Sequence, residues 1–336
     1  MANRIHTEGA AAGFDRPLLL TPGEDLAGYV VGLAGRFVLF LVAASSILAV
    51  LLIFAFIIRE AVPFFLQGEA GVSAFRHVFD RLAELFASTQ WYPEASEAPE
   101  FGALAIVAGS LYVTVTALVV AVPLGLLTAV CLSDIVPFGI RQIIKPVVEL
   151  LAAIPSVAYG FFAALVLSPL ILRYLDVPTG KNVINAGLIL AVMAIPTIVS
   201  VSEDALTAVG RDLREASYAC GATRAETILR VVMPAAHNGI IAAIILGMMR
   251  AIGETMAVWM AAGMANQIPS PWWDLAQSVR PLTGTIAQEM GETPVGSTHY
   301  HVLFVLGLVL LIFTFGLNLV TEALLGRMRR QGGKNT

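Results

Sequence analysis

Six stretches of this sequence run for about twenty residues or more with almost no charge, and they restrict the fold more than any other feature. They cover about 37–58, 102–132, 147–172, 184–201, 239–264 and 302–325. An α-helix needs about 20 mostly apolar residues to cross a bilayer core. The expected architecture is therefore all-α: a polytopic membrane protein with six transmembrane helices in the lipid bilayer. The composition agrees, with 57% of the 336 residues hydrophobic and 13% charged, where a soluble domain carries about a quarter charged residues.

The connections set an orientation, because lysine and arginine near helix ends collect on the cytoplasmic side. Arg211, Arg214, Arg224 and Arg230 lie between the fourth and fifth runs, and Arg327, Arg329, Arg330 and Lys334 follow the sixth. The connection between the fifth and sixth runs holds Arg280, with Trp272 and Trp273 placed as interface anchors. Six spans then put both termini in the cytoplasm and the 59–100 loop outside. In that loop Phe75, Val78, Phe79, Leu82, Leu85 and Phe86 recur at helical spacing, which predicts a short amphipathic helix on the outer surface. Residues 1–35 lack a short apolar core, so no cleaved signal peptide is expected. A net charge of −4 gives no reason to expect a nucleic-acid partner. Cys131 and Cys220 have no companions at metal-ligand spacing, and no disulfide is assigned.

The segment 203–234 reads as an elbow. Ser202 suits an N-cap, with Glu203 and Asp204 in the first turn of the helix it would open. Helical spacing continues through Leu206, Val209, Leu213, Ala216 and Ala219. Gly221 suits the left-handed residue that ends a helix. Thr223 and Glu226 have the spacing of a capping box for a second helix, which Pro234 is expected to end. On these features alone an ordinary cytoplasmic loop with a surface helix fits equally well.

The fifth run carries Arg250 and Glu254, four residues apart and so one turn apart on one face of the expected helix. Ionisable groups in a bilayer core are costly and normally face a protein interior or a wet path. The two can serve as a structural pair that locks helix packing. Alternatively Arg250 offers its planar fork of donors to an oxyanion, and Glu254 competes for it so that the anion is released.

Two motifs then carry a resemblance. Glu215-Ala216-Ser217, three residues, Gly221, nine residues and Val231-x-Met233-Pro234 resemble the coupling motif of ABC-importer permeases, Glu-Ala-Ala, three residues, Gly, nine residues, Ile-x-Leu-Pro. Glu215, Ala216, Gly221 and Pro234 match it outright. The run Arg250-Ala251-Ile252-Gly253-Glu254-Thr255-Met256-Ala257-Val258 resembles the signature of phosphate permease subunits of the PstC type, as does Ile154-Pro155-Ser156-Val157-Ala158-Tyr159-Gly160. The sister PstA type continues its Gly-Glu-Thr run differently. The resemblance covers about 100–325. It implies a type I ABC-importer permease fold, with residues 101–326 as the permease domain between an N-terminal cytoplasmic segment 1–35, a first span and external loop 36–100, and a cytoplasmic tail 327–336. It implies inorganic phosphate as substrate, alternating access as mechanism, and Arg250 and Glu254 in the phosphate path. It implies Glu215, Ala216, Gly221 and Pro234 in coupling to the ATPase. The partners it implies are a second homologous permease subunit forming a heterodimer, two cytoplasmic ATPase subunits and an extracytoplasmic phosphate-binding protein, in the bacterial inner membrane. No GxxxxGK[ST] loop occurs, so ATP hydrolysis is expected in a separate subunit, and no cofactor is expected.

Other features weigh less. Pro155 and Pro196 inside apolar runs predict kinks or a gate, with Ser156 and Tyr159 offering hydroxyls. Glu149 is expected at the interface, as are His299 and His301. A permease for another oxyanion, the sister phosphate subunit, an intramembrane enzyme using Glu254, and a purely structural scaffold remain as alternatives. The enzyme would need a second catalytic group at membrane depth, and apart from the peripheral Glu149 the sequence offers none.

Overall fold

Prolines and glycines inside the apolar runs decide which of them stay single helices. A computed structural model of the chain describes residues 22–66, 74–95 and 99–332. Most of the N-terminal segment, Glu97 and Lys334 lie outside the described residues, as do the side chains of Phe75, Arg327, Arg329 and Arg330. The chain divides into two compact units, Met1–Phe56 and Ile57–Thr336.

Helix α1 spans Pro22–Leu66 and belongs to both units. Proline at its first position costs no hydrogen bond there. Within the first unit its described side chains are exposed along nearly the whole length, although they are almost all apolar.

In the second unit, α2 (Ala74–Ala87) is the amphipathic helix that the spacing predicts. Leu85 is buried, while Phe79, Leu82 and Phe86 are exposed. A two-stranded antiparallel hairpin follows, β1 (Trp91–Tyr92) with β2 (Glu100–Phe101), pairing Trp91 with Phe101. Periodicity gives no sign of so short a hairpin. Trp91 and Phe101 bury with Phe64, Leu85 and Leu303 in one apolar cluster.

Helix α3 (Leu104–Val130) continues through a π-helical turn, Cys131–Ile135. The third apolar run is not one helix. Helix α4 (Phe138–Ala153) ends at Ile154, whose backbone is extended, and α5 (Ser156–Phe162) restarts after Pro155. Proline clashes with a helical residue before it, which is the physical reason for the break. A π turn, Ala163–Leu167, leads into α6 (Ser168–Leu175). Pro196, by contrast, sits inside the continuous helix α7 (Val183–Thr207), so it breaks nothing. Helix α7 is the most enclosed long helix of the unit. Ala117 of α3 buries in one cluster with Ala186 of α7, and Ala121 in another with Ala191 and Ala194. Small residues allow membrane helices this close an approach.

Helix α8 (Arg211–Ala219) is followed by α9 (Arg224–Thr227), a π turn Ile228–Val232 and α10 (Met233–Ala235). Helix α11 (His237–Ile252), α12 (Met256–Ala261), α13 (Leu282–Glu289) and α14 (Thr298–Gly332) complete the chain. Among the described residues five helices are long and apolar enough to cross a membrane, and a sixth span results if the pair Arg224–Ala235 and His237–Ile252, bent by 73°, counts as one. Among the described residues the fold is all-α apart from the small hairpin.

Candidate functional site

The elbow forms from local signals, with three corrections. Ser202 is not an N-cap. It lies buried inside α7, which runs on to Thr207 because Leu206 and Val199 still have apolar neighbours to bury against. Glu203 therefore points into the protein, with no measurable exposure, rather than into a wet first turn. Pro234 does not stop a helix either. It occupies the first turn of α10, where a missing N–H is tolerated, and the chain bends afterwards at Ala236. Nor does one helix run through Leu206, Val209 and Leu213 to Ala219: α7 ends at Thr207 and α8 starts at Arg211, with the chain non-helical at 208–210. The glycine and capping-box signals follow the spacing. Gly221 has φ +83°, the left-handed conformation that side chains disfavour. The Thr223 N–H donates to Glu226 Oε2 at 2.9 Å and the Glu226 N–H donates to Thr223 Oγ1 at 3.3 Å, completing the capping box. Ser217 and Thr227 share a hydroxyl hydrogen bond of 2.9 Å that ties α8 to the second arm. Glu215, Ala216, Gly221 and Pro234 are all exposed, together with the apolar Leu213 and Tyr218. This is a hydrogen-bonded corner with an exposed outer face.

The elbow is fastened to the helices by charges that the sequence reading missed. Arg214 pairs with Asp134 at the end of α3 and donates to the Leu206 carbonyl at 2.7 Å. Ser133 Oγ donates to the other oxygen of Asp134 at 2.6 Å. Glu203 receives both Arg141 and Lys145 from α4, the lysine at 2.5 Å, and Lys145 also reaches Asp204 at 3.1 Å. The partners are 62 and 58 residues from Glu203 along the chain. The available signal was the four-residue spacing of Arg141 and Lys145 beside acids flanking apolar runs.

The second region lies in the fifth apolar run, where the structure overturns the single-helix expectation. Helix α11 ends at Ile252, and Gly253, Glu254 and Thr255 interrupt it before α12 begins. Glycine is a poor interior residue for a helix, and Thr283 Oγ1 donates at 2.8 Å to the Glu254 carbonyl that the interruption frees. Arg250 and Glu254 are thus not on one helix face, and no ion pair within 4.0 Å joins them. Arg250 is half-buried on α11 and donates from Nε to the Met193 carbonyl of α7 at 3.3 Å. The half-buried Glu254 carboxylate meets no hydrogen-bond donor among the described residues. It borders a crevice of about 10 Å³, room for about one water, with Ser110, Thr114 and Thr283 in its walls.

Helix α5 packs directly on α12. A Cβ at Gly160 would lie 2.5 Å from Met260 Sδ and 3.2 Å from the Met256 carbonyl, so any larger residue would force the methionine aside and press on the backbone of α12. The Tyr159 hydroxyl donates to the Leu151 carbonyl at 2.7 Å, bridging the break at Pro155. Ser156 is half-buried at the start of α5, and Glu149 is exposed on α4.

His299 and His301 are buried within the protein. His299 Nε2 lies 2.7 Å from Glu289 Oε2, and Glu289 also takes Arg280 and the Trp91 indole N–H. His301 Nδ1 lies 2.7 Å from the Glu60 carbonyl. Trp272 and Trp273 are exposed, edge to face.

Comparison with known proteins places this architecture. Residues 121–330 match the family model described as binding-protein-dependent transport system inner membrane component. The chain is 40% identical over 232 residues to a probable ABC transporter permease protein, YqgH, of Bacillus subtilis, covering 69% of this chain and 74% of that one. It is 31% identical over 291 residues to the phosphate transport system permease protein PstC of Mesorhizobium japonicum, covering 80% of this chain and 87% of the relative. Among solved structures, an inward-facing methionine ABC transporter, MetNI, matches 66% of this chain and 94% of that chain at 20% identity, with a TM-score of 0.47.

Proposed function

Because the chain belongs to the binding-protein-dependent transport system inner membrane components, we propose that it is the permease subunit of an ATP-driven importer carrying inorganic phosphate across the bacterial inner membrane. Both termini face the cytoplasm. A second homologous permease subunit completes the heterodimer, two ATPase subunits dock on the elbow, and an external phosphate-binding protein delivers substrate. ATP is hydrolysed in the ATPase subunits, not in this chain. Closure of the ATPase pair pushes the elbow at Glu215, Ala216, Gly221 and Pro234, and the helices rock so that the site opens alternately to the two sides.

The observation that carries the substrate reading is the unpaired state of Arg250 and Glu254 at a broken membrane helix. An arginine already neutralised by a carboxylate would have little left for an anion. Arg250 keeps its two terminal amino groups, which match the paired oxygens of phosphate. Glu254, close by in sequence but outside the pair, opposes permanent capture of the anion. PstC-type relatives support phosphate over another oxyanion.

The test is phosphate uptake by reconstituted complexes carrying Arg250→Gln or Glu254→Gln, with assembly and ATP hydrolysis followed in parallel. Loss of uptake with assembly and hydrolysis intact is the expected result. Normal uptake in both variants would remove the pair from the path. Uptake of a different oxyanion in place of phosphate would keep the path and change the substrate.

A further inference from the structure

Helix α4 buries no residue of its own in this chain, and its apolar Ile143, Val147 and Leu150 are exposed. Its apolar packing is confined to the half-buried Ile144 and Val148, on the face that also carries Arg141 and Lys145. The specific tie to α7 is charge. Arg141 and Lys145, one turn apart, converge on the fully buried Glu203 carboxylate, and Thr207 Oγ1 donates to the same carboxylate at 3.3 Å. The elbow is held to the same turn of α7, through Arg214 on the Leu206 carbonyl, and to α3 through Asp134. The last turn of α7 is thus clamped on one side by the elbow and on the other by α4.

The direction of the route follows from the chain. Helix α4 leads through the break at Pro155 into α5, with Tyr159 bridging the break to Leu151. Helix α5 packs by Gly160 against α12, which starts two residues after Glu254. Apolar contacts are non-directional and can be remade after a shift. A buried carboxylate holding two cations cannot, because any shift leaves charge unpaired and out of water.

We propose that Glu203 is a positioning residue for coupling: it makes α4 follow the elbow, so that movement at the cytoplasmic end reaches the broken helix at Glu254. This rests on the reading of the chain as an ATP-driven permease, and it assigns Glu203 no contact with ATP or substrate.

The test uses the full complex with its ATPase subunits and binding protein in proteoliposomes, measuring inorganic phosphate taken up per ATP hydrolysed. In Glu203→Gln the ratio is expected to fall about tenfold, within the usual range of coupling effects, while hydrolysis stays near the wild-type rate. Glu203→Asp, which keeps the charge, is expected to restore part of the ratio. Lys145→Gln leaves Arg141 on Glu203 and serves if Glu203→Gln does not assemble; its ratio is expected to fall as well, by less. An unchanged ratio in the variants that assemble, or uptake and hydrolysis falling in parallel, overturns the proposal. A second readout does not depend on phosphate. Spin labels at the exposed Gln142 and Tyr218 are expected to keep one separation in the nucleotide-free and ATP-trapped wild type, and to spread in Glu203→Gln. Labels that hold their separation in the variant overturn the joint. A wild-type complex that hydrolyses ATP without moving phosphate, yet whose labels spread in the variant, would sink the phosphate reading and leave the joint standing.

Discussion

Glu203 and Glu254 are both carboxylates set in or beside apolar helices, and their surroundings are opposite. Glu203 is fully buried and saturated, with Arg141, Lys145 and Thr207 on its two oxygens. Glu254 is half-buried, lies in a helix break and meets no donor among the described residues. The same residue type is used once as a fastener and once with its oxygens unpartnered among the described residues. The difference teaches that charge inside an apolar region does not by itself mark a functional site. A saturated carboxylate has no oxygen left for another donor, whereas an unpaired one at a helix break has.

The comparison can be broken by stability measurements on the purified permease. Glu203→Ala would take from Arg141 its carboxylate partner and leave Lys145 with only the exposed Asp204; with both cations partly in solvent it should cost about 1–3 kcal/mol, read as a clear drop in the thermal unfolding midpoint. A small drop would mean that water already reaches the cluster. Asp134→Asn removes the charged partner of Arg214 while keeping the shape, and about 1–3 kcal/mol is expected, with the elbow becoming more open to proteolysis. Thr283→Val strips the hydrogen bond from the Glu254 carbonyl and should cost about 1 kcal/mol; hydrogen exchange around 253–256 should rise with it. Glu254→Gln should change stability by less than about 0.5 kcal/mol, yet reduce phosphate uptake. A strong destabilisation by that last variant would make Glu254 a second fastener and erase the contrast.

The membrane runs and the elbow could be read from the sequence because both are local. Apolar length, the Thr223–Glu226 box and the Gly221 stop each need only neighbouring residues. The breaks were less legible. Pro63, Pro123, Pro146 and Pro196 all stay inside helices, while Pro155 starts a new one. Whether a proline bends or breaks a membrane helix depends on what neighbours offer the freed backbone groups, as Thr283 does at Glu254, and that help comes from distant sequence. The four-residue spacing of Arg250 and Glu254 suggested a pair only because an unbroken helix was assumed. Glu203 was misplaced for a related reason: its partners lie some sixty residues away, so the acid looked like a helix-start residue rather than the centre of a cluster.

One consequence concerns the two thiols. Cys220 caps α8 at the corner of the elbow and is exposed, whereas Cys131 is half-buried at the end of α3. The unmodified chain therefore carries its own chemical gauge at the corner. A maleimide dye should react first at Cys220, and its rate would report, without any engineered label, how often that surface is uncovered as a working assembly cycles.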